Sequence, residues 1–234
     1  MTKFSAILAT GRISNLPTVW CNALIALLII PVYSATLGNF PNSTIPLGAL
    51  LCILIATSSL YIGGCFLGDA VDVEFDQKNK PTRPIPLGII NRSTIYTLAC
   101  VLITLGAALP STYIWLSIRT FSPEIITTSL LLTAAIVTYS IWHKRSPWIG
   151  LSLISACRLC LVLFSTAFFY FSYKHDLIEV NKAGSNMFSF VHSNRRDNEL
   201  AILIYASCVA LYTLSFASVA SSESSPKPIT WRKA

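Results

Sequence analysis

Three aspartates, Asp69, Asp72 and Asp76, follow one another at intervals of three and four residues, with Glu74 between them, in the stretch GDAVDVEFDQKNKPTRPIPLG over residues 68–88. On an α-helix that spacing puts all three on one face. The stretch begins where a long apolar run ends. The aspartates therefore stand at the negative end of a helix dipole, where a carboxylate is disfavoured. Like charges gathered there call for a cation between them. Carboxylate oxygens are hard ligands, and Mg²⁺ is commonly held by one or two of them together with a substrate's phosphate oxygens. The residues point to a Mg²⁺–diphosphate site at a membrane surface. The alternative is a solvated acidic loop between two spans.

The elements that must position these side chains are apolar. The 234 residues are 53% hydrophobic and 12% charged, against roughly 25% charged in a soluble domain. The apolar runs reach the roughly 20 residues needed to cross a bilayer. The expected fold is all-α, a polytopic transmembrane helical bundle of about six spans, near residues 16–37, 46–67, 93–115, 125–142, 148–173 and 199–220. Residues 1–223 form one transmembrane domain and 224–234 a polar tail. Residues 174–198, with little periodicity, read as a loop. Pro81, Pro84 and Pro86 stop a helix from running through the loop after the aspartates.

A net charge of +7 in such a chain is a matter of topology rather than of nucleic acid. With six spans, eleven Lys and Arg fall on the side of the termini and the aspartates and five on the other, which puts the acidic motif in the cytoplasm. The seven cysteines lie mostly in apolar runs and read as small hydrophobes. Cys157 and Cys160 form a C-x-x-C without the βα context of a redox motif.

Further polar residues gather near the span ends. Arg12 precedes the first span, and Asn15 and Asn22 stand seven residues apart, on one helix face. Tyr139, Lys144 and Arg145 lie at the loop after the fourth span. Arg158 lies inside the fifth, where a charge is costly and faces a partner or a wet cavity. A guanidinium there suits a carboxylate or a diphosphate.

Asp69, Asp72, Asp76, Arg83, Pro84, Pro86 and Gly88 together resemble the first aspartate-rich motif of the UbiA-type intramembrane prenyltransferases. The GRISNLPTVW opening with Arg12, Asn15 and Asn22 is similar to that family's first helix, and Tyr139, Lys144, Gly150 and Cys157-Arg158 to its pattern after the fourth. The family's leading Asn is Gly68 here, an Asn found in some members is Leu161, and the second acidic motif is reduced to Glu223. The resemblance implies Mg²⁺-dependent transfer of a prenyl group from an isoprenoid diphosphate donor to a lipophilic or aromatic acceptor among membrane lipids. Asp69, Asp72 and Asp76, with Glu223, would hold the metal. Arg12, Asn15, Asn22, Arg83, Tyr139, Lys144, Arg145 and Arg158 would bind substrate. Family members have about nine spans, so six imply a short or incomplete homologue. That leaves room for a second reading, a catalytically impaired lipid-binding or assembly protein.

Overall fold

The computed structural model describes residues 2–25, 46–182 and 195–223. Every element among them is helical. Helix α1 spans Lys3–Thr10, a 3₁₀ turn spans Ile13–Asn15, and α2 runs over residues 16–25. Then come α3, Leu47–Val71; α4, Val73–Asn79; α5, Arg92–Ile118; and α6, Pro123–Trp142. The last two are α7, Pro147–Lys182, and α8, Arg195–Glu223. Helices α3, α5 and α6, and residues 147–172 of α7, are long and apolar enough to cross a bilayer; residues 202–216 of α8 form a shorter apolar segment. The chain is an integral membrane protein. The expected first span lies partly outside the described residues, as do the polar tail and residues 183–194.

Helix α3 is the centre. It packs along α5 and also meets α1, α6 and α7, while α8 lies against α7. Close approach of α3 and α5 depends on small residues, as is common between membrane helices. A Cβ on Gly106 would come within 2.7 Å of the Ala56 carbonyl oxygen, and one on Gly63 within 2.8 Å of the Ile103 side chain. Buried Ile53, Leu60, Ile95, Ile103, Phe164 and Phe168 fill the core.

Two boundaries differ from the sequence reading, each for a local reason. Helix α3 does not stop at residue 67 but carries Asp69 within it. The backbone bonds Asp72 N–H to Gly68 O and Asp76 N–H to Asp72 O, both 2.9 Å, pass almost without interruption into α4. The helix ends only at Lys80, just before Pro81. Likewise α7 runs on to Lys182, and α8 already begins at Arg195. No Gly or Pro stands between residues 174 and 182 to stop the helix, so the loop expected over 174–198 is at most its middle part.

Candidate functional site

The near-continuous α3–α4 helix keeps the three aspartates on one face and turns that face into the bundle. Asp76 is only 2% exposed. Three carboxylates on one face need positive charge between them, and the chain supplies four basic side chains of its own. Arg83 Nη1 bridges Asp76 Oδ2 at 2.6 Å and Asp69 Oδ1 at 3.2 Å. Arg12 Nη2 stands 3.6 Å from Asp69 Oδ1. Lys144 Nζ stands 2.9 Å from Asp72 Oδ2 and 3.7 Å from Asp76 Oδ1. His143 Nε2 lies 3.2 Å from Asp72 Oδ2.

Each cation is delivered by a local device. Arg12 takes a left-handed backbone, φ 47°, between α1 and the 3₁₀ turn, a conformation uncommon outside glycine. Arg83 sits in the turns after α4, which close at Gly88 with φ +72°, a value glycine adopts without strain. His143 and Lys144 leave the last turn of α6. There the His143 ring stacks on Tyr139 at 4.9 Å and its Nδ1 lies 2.9 Å from the Tyr139 carbonyl. With Nδ1 carrying the proton in that bond, Nε2 faces Asp72 and gains a proton readily. Lys144 Nζ also caps the Phe75 ring at 3.8 Å. Arg92 of α5 donates to the Ala70 carbonyl at 2.9 Å and so offsets the negative end of α3.

Burial pushes the Asp72 carboxyl up, but hydrogen bonds from His143 and Lys144 and their charges outweigh it, and the group titrates below the ordinary carboxylate value. The Asp72 hydrogen bond in turn outweighs the cost of burial at His143 and holds it above the usual imidazole value.

Beneath this cluster a cavity of about 230 Å³ runs between α2, α3, α6 and α7. Its walls have helical periodicity. On α3, Thr57, Tyr61, Gly64, Cys65, Gly68, Asp69 and Asp72 line it; on α6, Leu132, Ile136, Tyr139, Ser140 and His143; on α7, Ile154, Cys157, Arg158 and Leu161. The mouth is charged. The deeper wall is mainly apolar, with Thr57, Tyr61, Ser140 and Arg158 as its polar members. At Gly68 nothing stands within 4 Å of a Cβ, so the position of the family's Asn is open cavity.

The fit of a divalent cation follows from which oxygens are spoken for. Asp76 has both engaged. The ion pairs of Asp69 use Oδ1 and those of Asp72 use Oδ2, so each keeps a second oxygen, and both residues line the cavity. Among the described residues no three His, Cys, Asp or Glu side chains form a ready metal cage. Two carboxylates completed by phosphate oxygens and water suit Mg²⁺, which rarely uses an all-protein cage.

Of the residues singled out from sequence, the structure brings together Asp69, Asp72, Asp76, Arg12, Arg83 and Lys144, with Asn15, Tyr139 and Arg158 on the cavity wall. Asn22 is not on that wall. Residues 16–25 are α-helical, and seven residues carry Asn22 about 10 Å along the helix from Asn15. Arg145 turns outward and lies over the Trp142 ring at 5.4 Å. The Glu223 side chain lies outside the described residues. Sequence reasoning missed His143, Tyr61 and Cys65. Their signal was the four-residue ladder: Tyr61 and Cys65 stand eight and four residues before Asp69, and His143 four after Tyr139. All seven cysteines are free, in line with their reading as small hydrophobes.

Comparison with known proteins places the chain in a family. Residues 28–169, more than half of the chain, match the UbiA prenyltransferase family. Digeranylgeranylglyceryl phosphate synthase of Methanoculleus marisnigri is 30% identical over 129 residues, 53% of this chain and 40% of that protein. The enzyme of the same name from Sulfurisphaera tokodaii is 38% identical over 60 residues, 26% of this chain and 22% of its own. The alignments thus span two-fifths or less of those relatives. A solved structure of a digeranylgeranylglyceryl phosphate synthase in membranes shares the fold, with a TM-score of 0.58 over 94% of both chains at 16% identity. The chain belongs to the UbiA prenyltransferase family.

Proposed function

We propose that the cavity binds an isoprenoid diphosphate with Mg²⁺ at its mouth and transfers the prenyl group to an acceptor within the membrane. The observation that carries this reading is the pairing of two half-free carboxylates, Asp69 and Asp72, with an apolar wall directly beneath them. Asp69 and Asp72 are the ligands we assign to the ion. Its chemistry, when bound, is to neutralise the diphosphate as charge develops there.

The chain's own residues do the rest. Arg12, Arg83 and Lys144 surround the leaving group with positive charge held in place before the reaction starts, the kind of preorganised stabilisation that lowers a barrier. Asp76, closed to solvent, fixes Arg83 and Lys144 rather than touching substrate. The donor's C1–oxygen bond breaks with its electron pair going to diphosphate, leaving an allylic cation. A nucleophilic atom of the acceptor forms the new bond to C1, and its proton passes to the released diphosphate or to solvent. Leu60, Leu132, Ile136, Ile154 and Leu161 keep water from the cation.

The product named for the relatives, a glyceryl phosphate carrying two geranylgeranyl groups, suggests geranylgeranyl diphosphate as the donor to try first. The excess of Lys and Arg on one side of the spans favours a cytoplasmic mouth. The test is binding of geranylgeranyl diphosphate to the purified chain with Mg²⁺ and with EDTA. Binding that needs Mg²⁺ and is lost in Asp69→Ala is expected. Equal binding in EDTA would remove the role given to the aspartates.

A further inference from the structure

Among the described residues, Arg158 is the one basic residue on the deep wall of the cavity. It stands eleven residues into α7, about 16 Å from the helix start. Helix α7 begins beside the mouth, so its length carries Arg158 away from the aspartates. Its electrostatic neighbours are Tyr61, Cys65 and Cys157, none of them a carboxylate. Tyr61 lies two turns of α3 deeper than Asp69. Nη1 of Arg158 is closed to solvent and has no hydrogen-bond partner among the described residues.

An arginine does not shed its proton to escape such a setting. A charge at this depth is costly unless it is matched. It is also badly placed for the proposed reaction, because an unmatched cation in the wall would oppose an allylic cation forming in the same cavity. Both difficulties disappear if what enters the cavity brings negative charge of its own. In the proposed reaction the donor's diphosphate sits at the mouth, where four other basic side chains stand, so the remaining carrier is the acceptor.

We infer that Arg158 binds the anionic headgroup of the acceptor, a phosphomonoester or a carboxylate, and so sets the acceptor class. A guanidinium matches either oxyanion in a two-pronged geometry, and neutral headgroups would leave it unpaired. The residue is a binding and specificity determinant, turned towards the acceptor and away from the leaving group. This rests on the prenyl-transfer reading of the same cavity.

The experiment is equilibrium binding to the full chain in lipid nanodiscs, with two matched pairs of probes. One pair is geranylgeranylglyceryl phosphate and geranylgeranylglycerol; the other is 4-hydroxybenzoate and phenol. The wild type should prefer the charged member of at least one pair by tenfold or more, and the pair that shows it identifies phosphate or carboxylate. Arg158→Gln should erase that preference, and Arg158→Lys, which keeps the charge but loses the fork, should keep part of it. Where Arg158→Gln does not survive a thermal-unfolding check, the wild-type preference and the Arg158→Lys result decide. No preference in the wild type, or a preference untouched by Arg158→Gln, overturns the inference. Donor binding is read in the same samples. A wild type that prefers the anion but takes no geranylgeranyl diphosphate contradicts the prenyl-transfer reading, whereas one that takes donor without preference contradicts only the role of Arg158.

Discussion

The mouth and the deep wall of the cavity handle charge in opposite ways. At the mouth, Asp69, Asp72 and Asp76 are matched within 3.7 Å by Arg12, Arg83, His143 and Lys144. On the deep wall, Arg158 has no acid beside it among the described residues. A matched cluster holds its geometry before a ligand arrives, and two of its carboxylates still keep an oxygen for a metal. An unmatched charge is held in place by the packing of its helix and gains its partner only with the ligand. The contrast separates residues that build the site from residues that wait for something to enter it.

The largest effect on the mouth should come from Asp76. It is buried and holds Arg83 at 2.6 Å. Asp76→Ala should lower stability by about 3 kcal/mol, the low end for breaking a buried pair, because Arg83 keeps some contact with solvent. Thermal unfolding measures this, and a loss close to zero would mean that Asp76 anchors nothing. Asp69→Ala should cost less stability, since its carboxylate is less buried, while costing donor binding outright.

A smaller effect separates His143 from the permanent charges. Its raised value means that its contribution is fully present below about pH 6.5 and fades as pH rises through the folded-state value. The lowered Asp72 value works the other way. Its contribution is present above about pH 4 and is lost as pH falls through the folded-state value. Thermal stability should therefore fall as pH rises above about 6.5 in the wild type and fall less in His143→Gln. Identical slopes would show that the His143–Asp72 contact contributes nothing. The smallest effect belongs to Arg145, which lies over Trp142 away from the cluster. Arg145→Ala should leave Mg²⁺-dependent donor affinity within twofold, and a tenfold loss would bring Arg145 into the site.

The same contrast explains what could be read from sequence. The Asp69–Asp72–Asp76 face was legible because one continuous helix sets it, and helix phase follows from spacing alone. Arg83 was legible through its motif. Membrane helices were legible from apolar runs, since a bilayer demands length and hydrophobicity whatever the neighbours are. Which cation meets which carboxylate was not legible, because Arg12, Arg83 and Lys144 come from three elements whose packing no local pattern encodes. Asn22 shows the limit of the phase argument: a shared helix face does not bring two residues to one site when one stands about 10 Å further along the helix. His143 carried a readable signal, four residues after Tyr139, that its more strongly charged neighbour Lys144 obscured.

The central claim is that the mouth of this cavity ionises a prenyl diphosphate. The direct measurement is transfer of labelled geranylgeranyl diphosphate into extractable lipid by the purified chain, with geranylgeranylglyceryl phosphate and 4-hydroxybenzoate as acceptors, in wild type and in Asp72→Asn. Asp72→Asn keeps the side-chain shape but removes the charge that a metal needs. The account predicts product that requires Mg²⁺ and disappears in Asp72→Asn. Donor that binds in the wild type without yielding product from any acceptor would contradict it and favour a lipid-binding role instead.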